Sequence, residues 1–325
     1  MIDSFGRRIS YVRLSVTDRC DLRCRYCMAE KMVFKPRSEL LTHEEIVELA
    51  DILIARGVTR IRLTGGEPLV RKGIEWTIGE LGRRIGSGLD ELTMTTNGTQ
   101  LAGFAKSLRA AGIRRLNVSL DTRDPDRFRH ITRSGDLAQV LAGIEAASAA
   151  GLSVKINMVA LKGINADEIA PMLRWCGAQG HDLTLIETMP LGTVAEDRTE
   201  HYLSLAEVKQ GLAREFDLIP SLGRTGGPAR YWEVDGLGVR LGLITPLTNN
   251  FCDGCNRIRV TATGTVFGCL GHDQCVELRL LLRSGGPTAV DAALDLLLAG
   301  KPRRHQFDIA AARPAVDRHM SMTGG

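Results

Sequence analysis

The chain has 325 residues, 44% hydrophobic and 25% charged, with 42 basic against 38 acidic side chains and a net charge of +4. That composition describes a globular protein with room for one large domain and a smaller one, and no apolar run approaches the ~18 residues of a membrane span. The mild positive charge fits an anionic small substrate and does not require nucleic acid. Residues 1–10 hold no export-signal core, so eight cysteines point to metal or catalytic use in the cytoplasm and not to a disulfide framework.

Strand-like runs at 12–16, 60–63, 91–95, 115–120, 153–159 and 182–188 alternate with helix-like stretches near 43–56, 72–85, 101–111, 137–150 and 167–179. Thr42 with Glu45 three residues on forms a capping-box start, and Asp136 can cap the helix that Gly151 ends. Six strands alternating with helices predict a parallel sheet, whose chemistry gathers at the C-terminal strand ends. Those ends are polar or glycine-rich here, at 20–27, 64–69, 95–98, 119–121 and 187–190. Beyond residue 192 the rhythm changes. A charged connection (193–203) leads to an amphipathic helix (204–214), a turn-rich stretch (222–228) and short β-like runs at 229–234, 238–244, 257–261 and 265–267. A domain boundary is expected near residue 200, dividing 1–200 from 201–325.

Cys20, Cys24 and Cys27 form C-x3-C-x2-C. Three thiolates can hold three corners of an iron–sulfur cube and leave one iron open, whereas a structural zinc site usually brings a fourth protein ligand. Cys252, Cys255 and Cys269 form C-x2-C-x13-C, and either His272 or Cys275 could close a zinc shell, the reading local spacing favours there. Arg257 and Arg259 share one face if their segment is a strand, and guanidinium forks match phosphate. With 34 arginines against 8 lysines, a solvated pair stays an alternative. Cys176 is expected in the core, and His130, His181, His201 and His305 have no ligand spacing and are expected at the surface.

The front triad, with Tyr26 before its last cysteine, resembles the radical S-adenosylmethionine (SAM) enzymes, and that resemblance favours a partial (β/α)6 barrel over a doubly wound sheet. Both triads together closely resemble the GTP 3',8-cyclases of molybdenum-cofactor biosynthesis, along with residues 13–20, the 65–69 turn, 95–98, 117–121, 251–259 and a closing Gly324-Gly325. The resemblance implies an α/β partial barrel, a smaller C-terminal α+β domain, two [4Fe-4S] clusters and SAM. It carries SAM contacts onto Tyr26, Gly66, Ser119 and Met189, and GTP contacts onto Arg13, Arg62, Thr95, Lys155, Arg257, Ile258 and Arg259. It also brings the Gly324-Gly325 tail into the active site, with Arg318 delivered alongside. The implied reaction takes hydrogen from the ribose 3' carbon of GTP and joins that carbon to guanine C8. It needs an electron donor, and cyclic pyranopterin monophosphate synthase receives the product; a homodimer is allowed. Thr184 stands where many members carry arginine. Three other readings stay open: a radical SAM enzyme modifying a peptide or RNA, a zinc-stabilised interaction protein, and an ordinary nucleotide-binding α/β protein.

Overall fold

Strands β1 (Tyr11–Ser15), β2 (Arg60–Thr64), β3 (Glu91–Thr96), β4 (Arg115–Ser119), β5 (Ser153–Ala160) and β6 (Asp182–Glu187) lie side by side in chain order, all parallel. The computed structural model describes residues 1–194, 199–223, 225–311 and 313–323. Parallel neighbours need long crossovers, supplied by α1 (His43–Ala55), α2 (Ile74–Gly82), α3 (Leu101–Ala110), α4 (Pro125–Thr132) with α5 (Leu137–Ala149), and α6 (Ile169–Gln179). Thr42 and Glu45 make the expected capping box on α1, and Asp136 accepts from the Ala138 amide at the start of α5. Helix α4 was not legible beforehand: its stretch is largely polar, and only Phe128, Ile131 and Thr132 are buried.

After α7 (Leu205–Leu212) come β7 (Leu218–Pro220), β8 (Arg230–Val234), β9 (Val239–Ile244), β10 (Arg257–Val260), β11 (Thr265–Phe267) and β12 (Cys275–Glu277). They join the first six in one twelve-stranded sheet, because β9 runs parallel to β6 and β10 parallel to β1. Antiparallel ribbons β7–β8–β9 and β10–β11–β12 thus extend both edges of a partial (β/α)6 barrel. Helices α8 (Arg279–Ser284), α9 (Gly286–Ala299) and α10 (Met320–Thr323) complete the chain.

The period of two decides where the site lies. Val12 and Leu14, Ile61 and Leu63, Leu116 and Val118, Ile156 and Met158, and Ile258 and Val260 all sit in one hydrophobic core. Their alternates are polar: Arg13, Arg62, Asn117, Lys155, Asn157, Arg257 and Arg259 line a single cavity on the opposite face. Most of these polar side chains are buried too. Both faces are therefore shielded from water, one by apolar packing and one by enclosure.

Candidate active site

The cavity is basic along one side because three strands put arginine on the same rung. Arg13 of β1 is in register with Arg259 of β10 and with Arg62 of β2. Like charges directly opposite across strands destabilise a sheet, and burial adds to the cost. Burial and the neighbouring Arg259 and Arg62 push Arg13 well below its usual value, while burial with Arg257 brings Arg259 down to about 10. The Nε atoms of Arg62 and Arg257 are buried without a hydrogen-bond partner among the described residues. So are the hydroxyls of Thr64, Thr95, Thr184 and Thr188. Orphaned donors at this density mark a place built for a polar, anionic guest.

On the other side Lys155 is 2% exposed and donates to the Tyr231 hydroxyl at 2.6 Å. Burial holds Lys155 below the usual lysine range, although Tyr231 pulls the other way. Thr184 lines the cavity beside them, between Asn157 and Gly242 in register.

All three cysteines of the front triad line this cavity. Burial pushes the Cys20 and Cys27 thiols each up to about 12 and Cys24 well above its usual value, with acidic neighbours adding to the effect. Tyr26 donates to Asp121 at 2.7 Å, and the other Asp121 oxygen accepts from the Val159 amide. Burial raises the Asp121 carboxyl to about 6. Glu67 is wholly buried and joins two strand ends, accepting from the Leu69 and Asn97 amides and from Thr96 Oγ1. Asn97 Nδ2 in turn donates to Cys20 Sγ at 3.7 Å. Gly66 packs so tightly that an added Cβ would lie 2.3 Å from the Arg19 carbonyl and 2.9 Å from Cys20 Cβ. The sequence had marked this turn; the structure shows that it presses on the cysteine loop itself.

The rear triad opens on the same cavity from the turn before β10 and the turn after β11. Arg7 is ion-paired to Asp3 at 2.6 Å and donates to the carbonyls of Cys252, Arg303 and Pro302. His272 and Cys275, the two side chains able to close a zinc shell, do not line the cavity. His272 Nε2 contacts the Arg304 carbonyl, and Cys275 is exposed on β12 opposite Phe267. Among the described residues no three histidine, cysteine or carboxylate side chains converge on a single metal ion. Both triads suit a cluster whose irons each take one thiolate.

Of the residues singled out by sequence, the cavity gathers Arg13, the six triad cysteines, Tyr26, Arg62, Gly66, Thr95, Ser119, Lys155, Met189, Arg257 and Arg259. Ile258 turns its side chain into the core, leaving only its backbone for a ligand. Gly324 and Gly325 lie outside the described residues. The chain leading to them does arrive: Met320 and Ser321 line the cavity, and the Thr323 carbonyl accepts from Arg259. Arg318 does not line the cavity, contrary to expectation. It pairs with Asp273 at 2.6 Å and donates to the carbonyls of Cys269, Leu270 and His272, so it clamps the loop of the last cysteine.

Two histidines also depart from expectation. His181 is buried edge-on to Trp175 because α6 ends at Gly180 in the left-handed region and folds the chain under that ring. His305 lines the cavity, stacked on Phe307. Tyr231 and Lys301 were missed altogether, since no motif contains them, and Glu187 was marked only as part of the strand end 187–190. Glu187 accepts from the Leu247 and Thr248 amides and fastens β6 to the loop that leads to Cys252.

Residues 14–176 match the Radical SAM superfamily, and 181–307 match the Molybdenum Cofactor Synthesis C family. A GTP 3',8-cyclase of Erythrobacter litoralis is 58% identical, covering 100% of this chain and 98% of its own. That of Rhizobium meliloti is 58% identical over 100% of this chain and 94% of its own. This chain belongs to the GTP 3',8-cyclase family of radical SAM enzymes. Within that family two [4Fe-4S] clusters and SAM are the cofactors, and the two cysteine triads provide ligands of the right kind in one cavity. The SAM-bound crystal structure of SuiB from Streptococcus suis shares the fold with a TM-score of 0.60 at 13% identity, over 83% of this chain and 61% of that one. The GTP 3',8-cyclase family membership rests on the sequence relatives; the structural likeness speaks for the fold.

Proposed function

We propose that this chain converts GTP to 3',8-cyclo-7,8-dihydro-GTP, an early step of molybdenum-cofactor biosynthesis. The observation that carries the reading is the enclosed arginine rung, Arg259–Arg13–Arg62, lying in one cavity with two cysteine triads. A triphosphate is the kind of anion that repays stacking three guanidinium groups out of water. Arg257 and Arg259 face it from β10, with Thr95 and Lys155 across the cavity. The backbone at Ile258 is the remaining contact from that strand.

Cys20, Cys24 and Cys27 would hold the front cluster, and Cys252, Cys255 and Cys269 the rear one. Once bound, the front cluster and SAM supply one-electron chemistry able to take hydrogen from an unactivated sugar carbon. Tyr26, the Gly66 backbone, Ser119 and Met189 would hold SAM. Asp121 fixes the Tyr26 ring, and Glu67 stiffens the two strand ends beneath the cysteine loop. The enclosing strands keep water from a reactive centre. A catalytic role for Gly324 and Gly325 is part of this reading: Met320 and Ser321, a few residues before them, line the cavity, and a backbone without side chains suits close approach to a substrate.

The barrel (1–200) holds SAM, and the C-terminal part (201–325) holds the rear cluster and presents it to the substrate. The reaction takes place in the cytoplasm and draws on an electron donor; cyclic pyranopterin monophosphate synthase takes the product onward. An air-free incubation with SAM, GTP and reductant tests the reading. Formation of 5'-deoxyadenosine together with a cyclised nucleotide is expected. SAM cleavage with GTP left untouched would instead favour a radical SAM enzyme acting on a peptide or RNA.

A further inference from the structure

Lys301 is among the largest fully buried side chains of the protein, at 2% exposure. Its ammonium has three protons to donate, and three acceptors surround it: Cys255 Sγ at 3.6 Å, the Arg257 carbonyl at 3.2 Å and the Gly268 carbonyl. None of these is a carboxylate, and among the described residues Lys301 makes no ion pair with one. A buried ammonium without a counter-ion is costly. The acceptor that is not a carbonyl is the sulfur of Cys255, and Cys269 follows directly on Gly268.

The surroundings differ in sign from those of the front triad. There a carboxylate stands beside a sulfur, Asp21 Oδ1 at 3.9 Å from Cys20 Sγ. At the rear a cation takes that place, the Lys301 ammonium 3.6 Å from Cys255 Sγ. Charge and hydrogen bonds at the sulfurs are what set an iron–sulfur potential.

We propose that Lys301 is a positioning residue of the rear cluster: fixed against Cys255, its charge raises that cluster's reduction potential and makes the open iron a stronger acceptor for substrate. This rests on the reading that Cys252, Cys255 and Cys269 hold a cluster. Lys301 also ties β10 to the turn after β11 through two carbonyls, so it sets the spacing of Cys255 and Cys269 as well as their charge.

The test uses the full chain with Cys20, Cys24 and Cys27 replaced by alanine, so that only the rear cluster assembles. Air-free reconstitution should give about four irons per chain, and redox titration followed by electron paramagnetic resonance then reads its potential. Lys301→Met and Lys301→Gln should lower the potential and weaken guanine-nucleotide binding several-fold, and Lys301→Arg should return both toward the parent. In the parent labelled with 15N at the lysine side chains, pulsed resonance should show a weak nitrogen coupling that Lys301→Arg removes. Absence of iron in the parent overturns the rear-cluster reading and this proposal with it. Iron present with an unchanged potential in both neutral variants overturns the role of Lys301 alone. If neither neutral variant keeps iron, the labelled parent decides, and a missing coupling ends the proposal.

Discussion

At the scale of single residues, the site is made of groups held where they would not choose to be. Arg13 sits between two other arginines on its rung, and Glu67 is a carboxyl without solvent, raised by burial to about 7. Such perturbed groups concentrate at functional sites. The cysteine assignment predicts that Cys24→Ala abolishes SAM cleavage; full cleavage by that variant, read as 5'-deoxyadenosine, would refute it. Arg259→Met should weaken GTP binding at least tenfold while SAM is still cleaved without GTP, and unchanged affinity in equilibrium titration would count against the arginine rung. Gly66→Ala is a sharper case. The new methyl would meet main chain and not a yielding side-chain tip, so the cysteine loop must shift, and SAM affinity should drop with the global fold intact by circular dichroism.

At the scale of elements, β10 explains why alternation mattered more than any single motif. Its four residues, Arg-Ile-Arg-Val, divide cleanly: two guanidinium groups toward the cavity, two aliphatic chains into the core. Ile258→Ala should therefore cost about 2–5 kcal/mol of stability and lower Tm, yet leave GTP affinity near that of the parent. A loss of affinity matching that of Arg259→Met would show that this strand's two faces are not independent. The helix starts at Thr42 and Asp136 were readable because a cap is a local hydrogen bond. Helix α4 was not, although Asp124 and Pro125 offered a start, because too few apolar residues marked its buried face.

At the scale of the molecule, the two triads belong to distant parts of the chain, and strand pairing brings them to one cavity. β10 lies directly against β1, so the residues after Cys255 run beside the strand that leads to Cys20. Reconstitution of the whole chain should yield a brown protein with about eight irons; a colourless protein with one or two zinc ions would sink the assignment of both triads. Removing Gly324 and Gly325 should stop product formation while both clusters remain, as read by iron content and absorbance, and a normal product yield would exclude a role for the tail.

The amino-acid sequence by itself determined the cysteine spacings, the six βα units, the caps and the arginine pair, because each is written within a few neighbouring residues. Only the tertiary structure decided what those pieces face. It set three arginines on one rung, turned Ile258 away, made Arg318 a clamp on the Cys269 loop, and buried Lys301 against a cysteine sulfur 46 positions earlier. Those outcomes depend on register between strands far apart in the chain, which no local pattern encodes.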